Sequence, residues 1–245
     1  MKQDLYTITH NHQIAAATWE MRLAGDTRAL ERAGQFVDVA IPGFYLRRPF
    51  SPADWDESGL TLIYKVVGEG TREMASLGAG TRLDLLTGLG NGFDLEPAGS
   101  RPLLIGGGVG IPPLYRLARE LAGQGRDVTV ILGFNREDEL FLTDAFAGLG
   151  ARVLVCTADG SVGTRGLVTD VLEEAAGSSY FYSCGPEAML KAVARQARTP
   201  GQFSLEERMG CGFGACMGCT INTRSGLKRV CHDGPVFESE ELLWT

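Results

Sequence analysis

At 245 residues, with 33 glycines and a formal net charge of −7, the chain is long enough for two compact domains and a small appendage. The acidic balance works against a nucleic-acid partner, which calls for basic residues to neutralise phosphates. No stretch approaches eighteen continuous apolar residues, so no helical membrane crossing is expected.

Residues 1–98 carry short strand-like segments, Thr18–Leu23, Phe36–Ile41 and Leu60–Val67, separated by Gly, Pro and Asp turns. Period-two patterning broken by such turns predicts a small antiparallel β-barrel domain. From Arg101 the rhythm changes. The apolar run Leu103-Leu104-Ile105 is followed by Leu114, Leu117, Ala118 and Leu121 at helical spacing, then by a strand over Val128–Leu132. The alternation predicts helices over 137–147, 166–176 and 186–198, with strands over 152–156 and 179–184. Strand alternating with helix implies an α/β domain over 99–200, built on a parallel sheet. Linker composition places the boundaries at Pro97–Pro102 and Thr199-Pro200-Gly201. Residues 201–245 then form a module too short to bury its own core, so a metal must supply part of its folding energy.

That module holds Cys211, Cys216, Cys219 and Cys231, in the pattern C-x4-C-x2-C with the fourth cysteine eleven intervening residues later. This is the plant-type spacing for a [2Fe–2S] cluster, whose iron needs four converging thiolates. Gly210, Gly212, Gly214 and Gly218 interleave with the cysteines, leaving amide N–H groups free to point at sulfur. Two other readings stand beside it. A structural zinc site usually shows two separated close pairs. Disulfides need an oxidising compartment, and the N-terminal MKQDLYTITHNHQIAA has neither an apolar core nor a small-residue cleavage site, so a cytoplasmic location is expected. Cys156, in RVLVCTAD, reads as a buried small hydrophobe. His10, His12 and His232 read as surface or packing residues; His232 beside Cys231 invites a Rieske assignment, but that requires two histidines on one iron.

Between the first strand and first helix of the α/β domain lies Ile105-Gly106-Gly107-Gly108-Val109-Gly110-Ile111-Pro112-Pro113. Glycines let a phosphate approach the backbone, and a helix N-terminus opened by proline offers unpaired N–H groups and a positive dipole. Gly106, Gly107, Gly108, Gly110 and Pro112 are therefore candidate dinucleotide contacts. The fingerprint match is partial: Ile111 stands at the third glycine position, and Gly133-Phe134-Asn135-Arg136 replaces the acidic residue expected after the second strand. A tight turn without a ligand stays open, and Arg136 is either a partner for a 2′-phosphate or a solvated charge.

A third group comprises Arg47-Arg48-Pro49-Phe50-Ser51, Leu62-Ile63-Tyr64-Lys65 and Gly68-Glu69-Gly70-Thr71. Arginine and serine are natural donors to a pyrophosphate, and a strand aromatic can cover an isoalloxazine or adenine ring. An ordinary barrel with an exposed arginine pair is the alternative.

These motifs, with the Gly-Asn-Gly-Phe of Gly90–Phe93, Ser183-Cys184-Gly185-Pro186 and Glu207-Arg208-Met209, resemble the electron-transfer subunits of type B dihydroorotate dehydrogenases, within the ferredoxin–NADP⁺ reductase superfamily. The resemblance spans nearly the whole chain. It implies a ferredoxin-reductase-like two-domain fold with a C-terminal [2Fe–2S] module. FAD would be lined by Arg48, Pro49, Phe50, Ser51, Ile63, Tyr64, Lys65, Gly70 and Thr71. NAD would lie at the glycine-rich loop, with Cys184 and Gly185 on its nicotinamide side, and the four cysteines would bind iron. It further implies a role in pyrimidine biosynthesis. An FMN-containing catalytic subunit, two copies with two of this chain, would oxidise dihydroorotate to orotate, and electrons would pass through cluster and FAD to NAD⁺. In the family an aliphatic residue is common where Phe50 stands and arginine where Lys65 stands, so a bidentate phosphate contact reduces here to a point charge. A subunit of a ferredoxin–NADP⁺ transhydrogenase or sulfhydrogenase-type complex shares the same parts. Transhydrogenase relatives can replace one cysteine ligand with Asp, so four cysteines favour the dihydroorotate branch. A zinc-stabilised binding module is the alternative of a different class.

Overall fold

A computed structural model describes residues 1–244. The N-terminal part folds as β1 (Lys2–Ala15), β2 (Thr18–Ala24), β3 (Phe36–Val39), β4 (Arg48–Phe50), β5 (Asp54–Asp56) and β6 (Gly59–Lys65), then helix α1 (Glu69–Ser76) and β7 (Arg82–Leu89). The strands form one antiparallel seven-stranded sheet in the order β4-β3-β7-β1-β2-β6-β5. Its hydrogen-bond ladder ends at β4 and β5, so the expected barrel is a curled, open one. Alternate residues of each strand turn inward, giving a core of Tyr6, Ile8, Met21, Leu23, Val37, Val39, Leu60, Leu62 and Leu85. Helix α1 is absent from the sequence-based expectation, because Gly68-Glu69-Gly70 opens it and glycine argues against helix. Its inner face is held by Met74, which is fully buried.

The second part comprises β8 (Pro102–Gly107), α2 (Pro112–Gly123), β9 (Thr129–Phe134), α3 (Thr143–Gly148), β10 (Arg152–Thr157), β11 (Thr164–Arg165), β12 (Tyr180–Cys184), α4 (Glu187–Gln196) and β13 (Gly201–Ser204). The helix expected over 137–147 shrinks to a turn at Glu137–Glu139 and the short α3, and that expected over 166–176 is a 3-10 helix, Val168–Ala175. The tail adds the hairpin β14 (Thr220–Thr223) and β15 (Gly226–Arg229), helix α5 (Val230–Asp233) and β16 (Val236–Glu238). The second sheet runs β11-β10-β9-β8-β12-β13-β16, parallel except for β16.

Two of its strands, β13 and β16, come from the segment that the sequence assigns to the metal module. The tail therefore leaves the central sheet at Ser204, carries the cysteines, and returns to the same edge at Val236. This solves the problem of a short module without a core: Cys219, Cys231, Phe203 and Phe237 share one buried cluster with Phe36 and Leu89 of the barrel and Ile105 and Phe181 of the α/β sheet. Among the described residues, no helix is long and apolar enough to cross a membrane.

The barrel packs on the α/β part through Ala33, Ala53, Ile63 and Phe93, which join its core, and through Asp54 on β5, which pairs with Arg116 of α2 at 3.1 Å while Arg116 covers the Trp55 ring at 4.1 Å. Phe203 is fully buried, edge-on to Phe181 at 5.1 Å and Trp244 at 5.0 Å. Phe203→Ala should lower stability by about 3–5 kcal/mol, the usual cost of emptying a buried aromatic site, measured by chemical denaturation.

Candidate functional site

The strand order of the second sheet reverses between β8 and β12: β9 and β10 lie on one side, β13 on the other. In an open parallel sheet the crevice at the carboxyl ends of such strands is where ligands bind. Here it brings Gly107–Gly110, at the end of β8, against Cys184-Gly185, at the end of β12. A Cβ on Gly110 would lie 2.4 Å from the Cys184 carbonyl carbon, so only glycine permits this approach. Pro112 and Pro113 open α2 at its N-terminus, where the missing prolyl N–H costs nothing.

This crevice continues into the barrel as one cleft of about 1050 Å³, lined by residues from all three parts of the chain. The barrel contributes Arg48, Pro49, Phe50, Ser51, Ile63, Tyr64, Lys65, Gly70 and Thr71; the α/β part contributes Gly107, Gly108, Gly110, Cys184 and Gly185; the tail contributes Met209 and Pro235. Gly106 and Pro112 are buried and are not among the lining residues. A Cβ on Gly106 would meet Ile111 and Leu114 at 2.8 and 3.0 Å, so its smallness serves strand–helix packing.

The barrel side has the chemistry of an anion cradle. The Arg48 guanidinium is held by the Leu46 carbonyl, at 2.6 Å, and lies 5.4 Å from the Phe44 ring centre. Its Nε is 3.1 Å from where a Cβ on Gly70 would stand, which sets the charge beside the positive N-terminus of α1. Thr71 Oγ1 accepts from the Val67 and Gly68 amides at 3.0 and 3.2 Å, so this hydroxyl shapes the loop. Tyr64 donates to Asn11 Oδ1 at 2.9 Å; burial, offset in part by Asn11, pushes its phenol up to about 12, so it stays neutral. The Phe50 and Tyr64 rings lie 5.9 Å apart and tilted, forming an aromatic wall. A cleft with an arginine, a helix N-terminus and a wall of tilted aromatics fits a flavin dinucleotide.

Lys65 is engaged by Glu139 of the α/β part at 3.0 Å, and Glu139 also accepts from the Asn135 side chain at 2.9 Å. Burial acts to raise the Glu139 carboxyl, but Lys65 and Asn135 outweigh it and hold it below the ordinary range. Arg136 pairs with Asp138 at 2.9 Å, is exposed, and is not among the lining residues, as a solvated charge would be. Burial pushes the Cys184 thiol up to about 12, making it an inert neutral wall. Cys156 is fully buried.

The four tail cysteines come together around one loop. All are free thiols, Cys219 and Cys231 buried and Cys216 exposed. Cys211 and Cys216 have neighbouring sulfurs, as do Cys219 and Cys231, giving the two thiolate pairs that a two-iron core takes. Amides are aimed at sulfur before any metal is considered: Gly214 at Cys231 (3.1 Å), Ala215 at Cys211 (3.2 Å) and Cys231 at Cys219 (3.4 Å). Burial acts to raise the Cys211 thiol, but the Cys216, Phe213 and Ala215 amides draw it down to about 6. Burial and the neighbouring Cys219 push Cys231 up to about 12. A donor set with N–H groups placed to receive negative sulfur fits an iron–sulfur cluster. His232 turns instead to Asp233, at 2.9 Å, so no Rieske pair forms. His10 and His12 are exposed on β1.

Residues 206–243 match the family model for the iron–sulfur cluster binding domain of dihydroorotate dehydrogenase B, and residues 104–195 match the oxidoreductase NAD-binding domain. A dihydroorotate dehydrogenase B (NAD(+)) electron transfer subunit from Fusobacterium nucleatum subsp. nucleatum is 40% identical over 257 residues, 99% of each chain. Its namesake from Bacillus caldolyticus is 43% identical over 250 residues, 97% of each chain. The chain belongs to this family of electron transfer subunits. The structure of an NADH-dependent reduced ferredoxin–NADP oxidoreductase aligns with TM-score 0.90 at 31% identity, over 98% of this chain and 90% of that one. A ferredoxin NADP⁺ reductase from Neisseria gonorrhoeae, solved with FAD and NADP, shares the fold at TM-score 0.67 and 20% identity, over 80% and 90% of the two chains.

For an electron transfer subunit of this family, the sequence motifs leave one structural role unassigned. Asn91, within Gly-Asn-Gly-Phe, donates to the Val236 carbonyl at 2.8 Å and accepts from the Val236 amide at 3.1 Å, while its own amide donates to the Gly234 carbonyl at 2.8 Å. Its side chain thus pairs with the returning tail as a strand would, fastening the barrel to the cluster segment. Phe44, Glu139 and Pro235 also line the cleft, each at a place set by tertiary contact that no local motif marks, as does Met209 of Glu207-Arg208-Met209.

Cys219→Ser is expected to abolish the iron–sulfur absorption while FAD remains bound, checked by the visible spectrum and by iron and flavin analysis. Glu139→Gln should cost about 0.5 kcal/mol at pH 7, as partly exposed pairs do. Because the Glu139 carboxyl is held low, the pair's contribution is present above the ordinary carboxylate range and lost as pH falls through the lowered value. The difference between wild type and variant in denaturation should therefore vanish in acid.

Proposed function

We propose that this chain takes electrons released by oxidation of dihydroorotate to orotate on a separate catalytic subunit and delivers them to NAD⁺, a step of pyrimidine biosynthesis. The observation that carries the reading is the single cleft walled by barrel, α/β sheet and tail together, beside four cysteines in a two-iron arrangement. Bound there, a [2Fe–2S] cluster moves single electrons and FAD exchanges them for a two-electron transfer to nicotinamide.

The chain's own residues fix positions and exclude water. Cys211, Cys216, Cys219 and Cys231 would hold iron, and the amides of Gly214, Ala215 and Cys231, already aimed at sulfur, would stabilise its negative charge. Arg48 and the first turn of α1 would hold the flavin pyrophosphate, Tyr64 and Phe50 would wall the ring, and Pro49, Ser51, Ile63, Lys65, Gly70 and Thr71 would complete that side. Gly107, Gly108 and Gly110 let the NAD phosphates reach the α2 N-terminus, with Gly106 and Pro112 supporting the loop from behind. Cys184 and Gly185 close the nicotinamide end. No side chain is needed as a general acid or base.

The two cysteine pairs differ in exposure. Cys219 and Cys231 pack with the barrel's Phe36 and Leu89, whereas Cys216 is exposed between the exposed Phe213 and Met217. Exposed apolar side chains around a redox centre favour a docked partner, so the Cys211–Cys216 side is the face a catalytic subunit would cover, while the Cys219–Cys231 side faces the barrel. The partner is an FMN-containing catalytic subunit, assembled as two copies of each chain. The 31% identity to the reduced ferredoxin–NADP oxidoreductase supports a transhydrogenase-type role as the second reading; the higher identity to the dihydroorotate dehydrogenase B subunits and the complete set of cysteines favour the first.

The purified chain should be yellow-brown and pass electrons from NADH to an artificial acceptor, with no dihydroorotate oxidation until the catalytic subunit is added. Steady-state assays with and without that partner check this. Dihydroorotate oxidation by the chain alone, or none in the reconstituted complex, would sink the assignment.

A further inference from the structure

The barrel turns one buried carboxyl toward the loop that carries the cysteines. On β3, Val37 and Val39 point into the barrel core, and by alternation Phe36 and Asp38 take the other face, where Phe36 packs in the cluster that holds Cys219 and Cys231. Asp38 is 2% exposed, and its Oδ1 has no hydrogen-bond partner. Its Oδ2 lies 2.6 Å from where a Cβ on Gly212 would stand, and Gly212 has φ +76°. Glycine next to Cys211 is thus the residue that lets the carboxyl abut the cysteine loop.

Charged groups surround Asp38 without satisfying it. Arg47 gives Nη1 to the main-chain carbonyls of Asp38 and Asp84, at 3.2 and 2.9 Å, and Nη2 to the Asp84 carboxylate at 3.0 Å. Arg48 gives Nη1 to the carbonyls of Leu46 and Arg47. The neighbouring β7 supplies Asp84, already paired, and the cysteine loop presents uncharged Gly212. Buried polar groups are nearly always hydrogen-bonded, so an orphaned carboxylate oxygen in this position calls for a role. A charge in a poorly solvated site acts on its neighbours far more strongly than in water.

We propose that Asp38 sets the reduction potential of the cluster, its carboxylate opposing the arrival of an electron. The inference rests on the [2Fe–2S] reading above. Reduction places one additional negative charge on the cluster and makes or breaks no bond, so a fixed carboxylate beside the loop lowers the potential. Burial, against the pull of Arg47 and Arg48, raises this carboxyl to about 6, which leaves it ionised at pH 8. A low potential is useful where electrons must continue to a flavin and on to NAD⁺.

The test is a redox titration of the FAD- and iron-loaded chain at pH 8, followed by electron paramagnetic resonance. Asp38→Asn should favour the reduced cluster by roughly tenfold, an upward shift of about 59 mV for one electron, with unchanged g-values because the thiolates are untouched. Asp38→Ser serves as a second neutral variant if the first fails to load. Midpoint potentials equal to wild type in the loaded variants would overturn the inference. A wild-type preparation without an iron–sulfur signal would instead overturn the cluster reading, which keeps the two failures apart.

Discussion

The return of the tail to the sheet is the constraint on which the rest depends. β16 pairs antiparallel with β13, and Asn91 grips Val236 from the barrel side. Between those anchors, about thirty residues leave and come back, and the cysteines lie on that excursion. Its ends are fixed by ladder bonds and its buried face by Phe203, Phe237, Phe36 and Leu89. The loop needs no core of its own because two other parts of the molecule lend theirs.

This arrangement also brings the cysteine loop up against the cleft. The buried cysteine pair rests against barrel residues that adjoin the cleft; Phe36 belongs to both the cleft lining and the cysteine-bearing cluster. Met209 and Pro235, just before and just after the cysteine loop, line the same cleft. Flavin and cluster are thereby served by one continuous packed body, in which positions are held by side-chain packing rather than by flexible linkers.

The cleft shows a division of labour among its polar groups. Arg48 and the α1 terminus are set to receive an anion, while Lys65, the other cation on that wall, is committed to Glu139. Glu139 in turn touches Asn135, at the end of β9. The point charge expected for phosphate is thus held by Glu139 across the cleft, which leaves Arg48 as the other cation lining the barrel wall.

Sequence by itself determined the chemistry. Four cysteines at fixed spacing and a glycine loop before a helix are local patterns, so an iron–sulfur centre and a nucleotide cofactor were legible as expectations, along with the barrel followed by alternating strands and helices. The family came from the motifs taken together. Tertiary structure decided what depends on residues far apart in the chain. It placed β13 and β16 in the central sheet because strand pairing is nonlocal, and it moved Gly106 and Pro112 behind the loop because only the packed helix shows which glycine faces the crevice. It gave Asn91 a partner 145 residues away and set Asp38 against Gly212. No local pattern encodes such contacts, since each exists only after two separately formed surfaces meet.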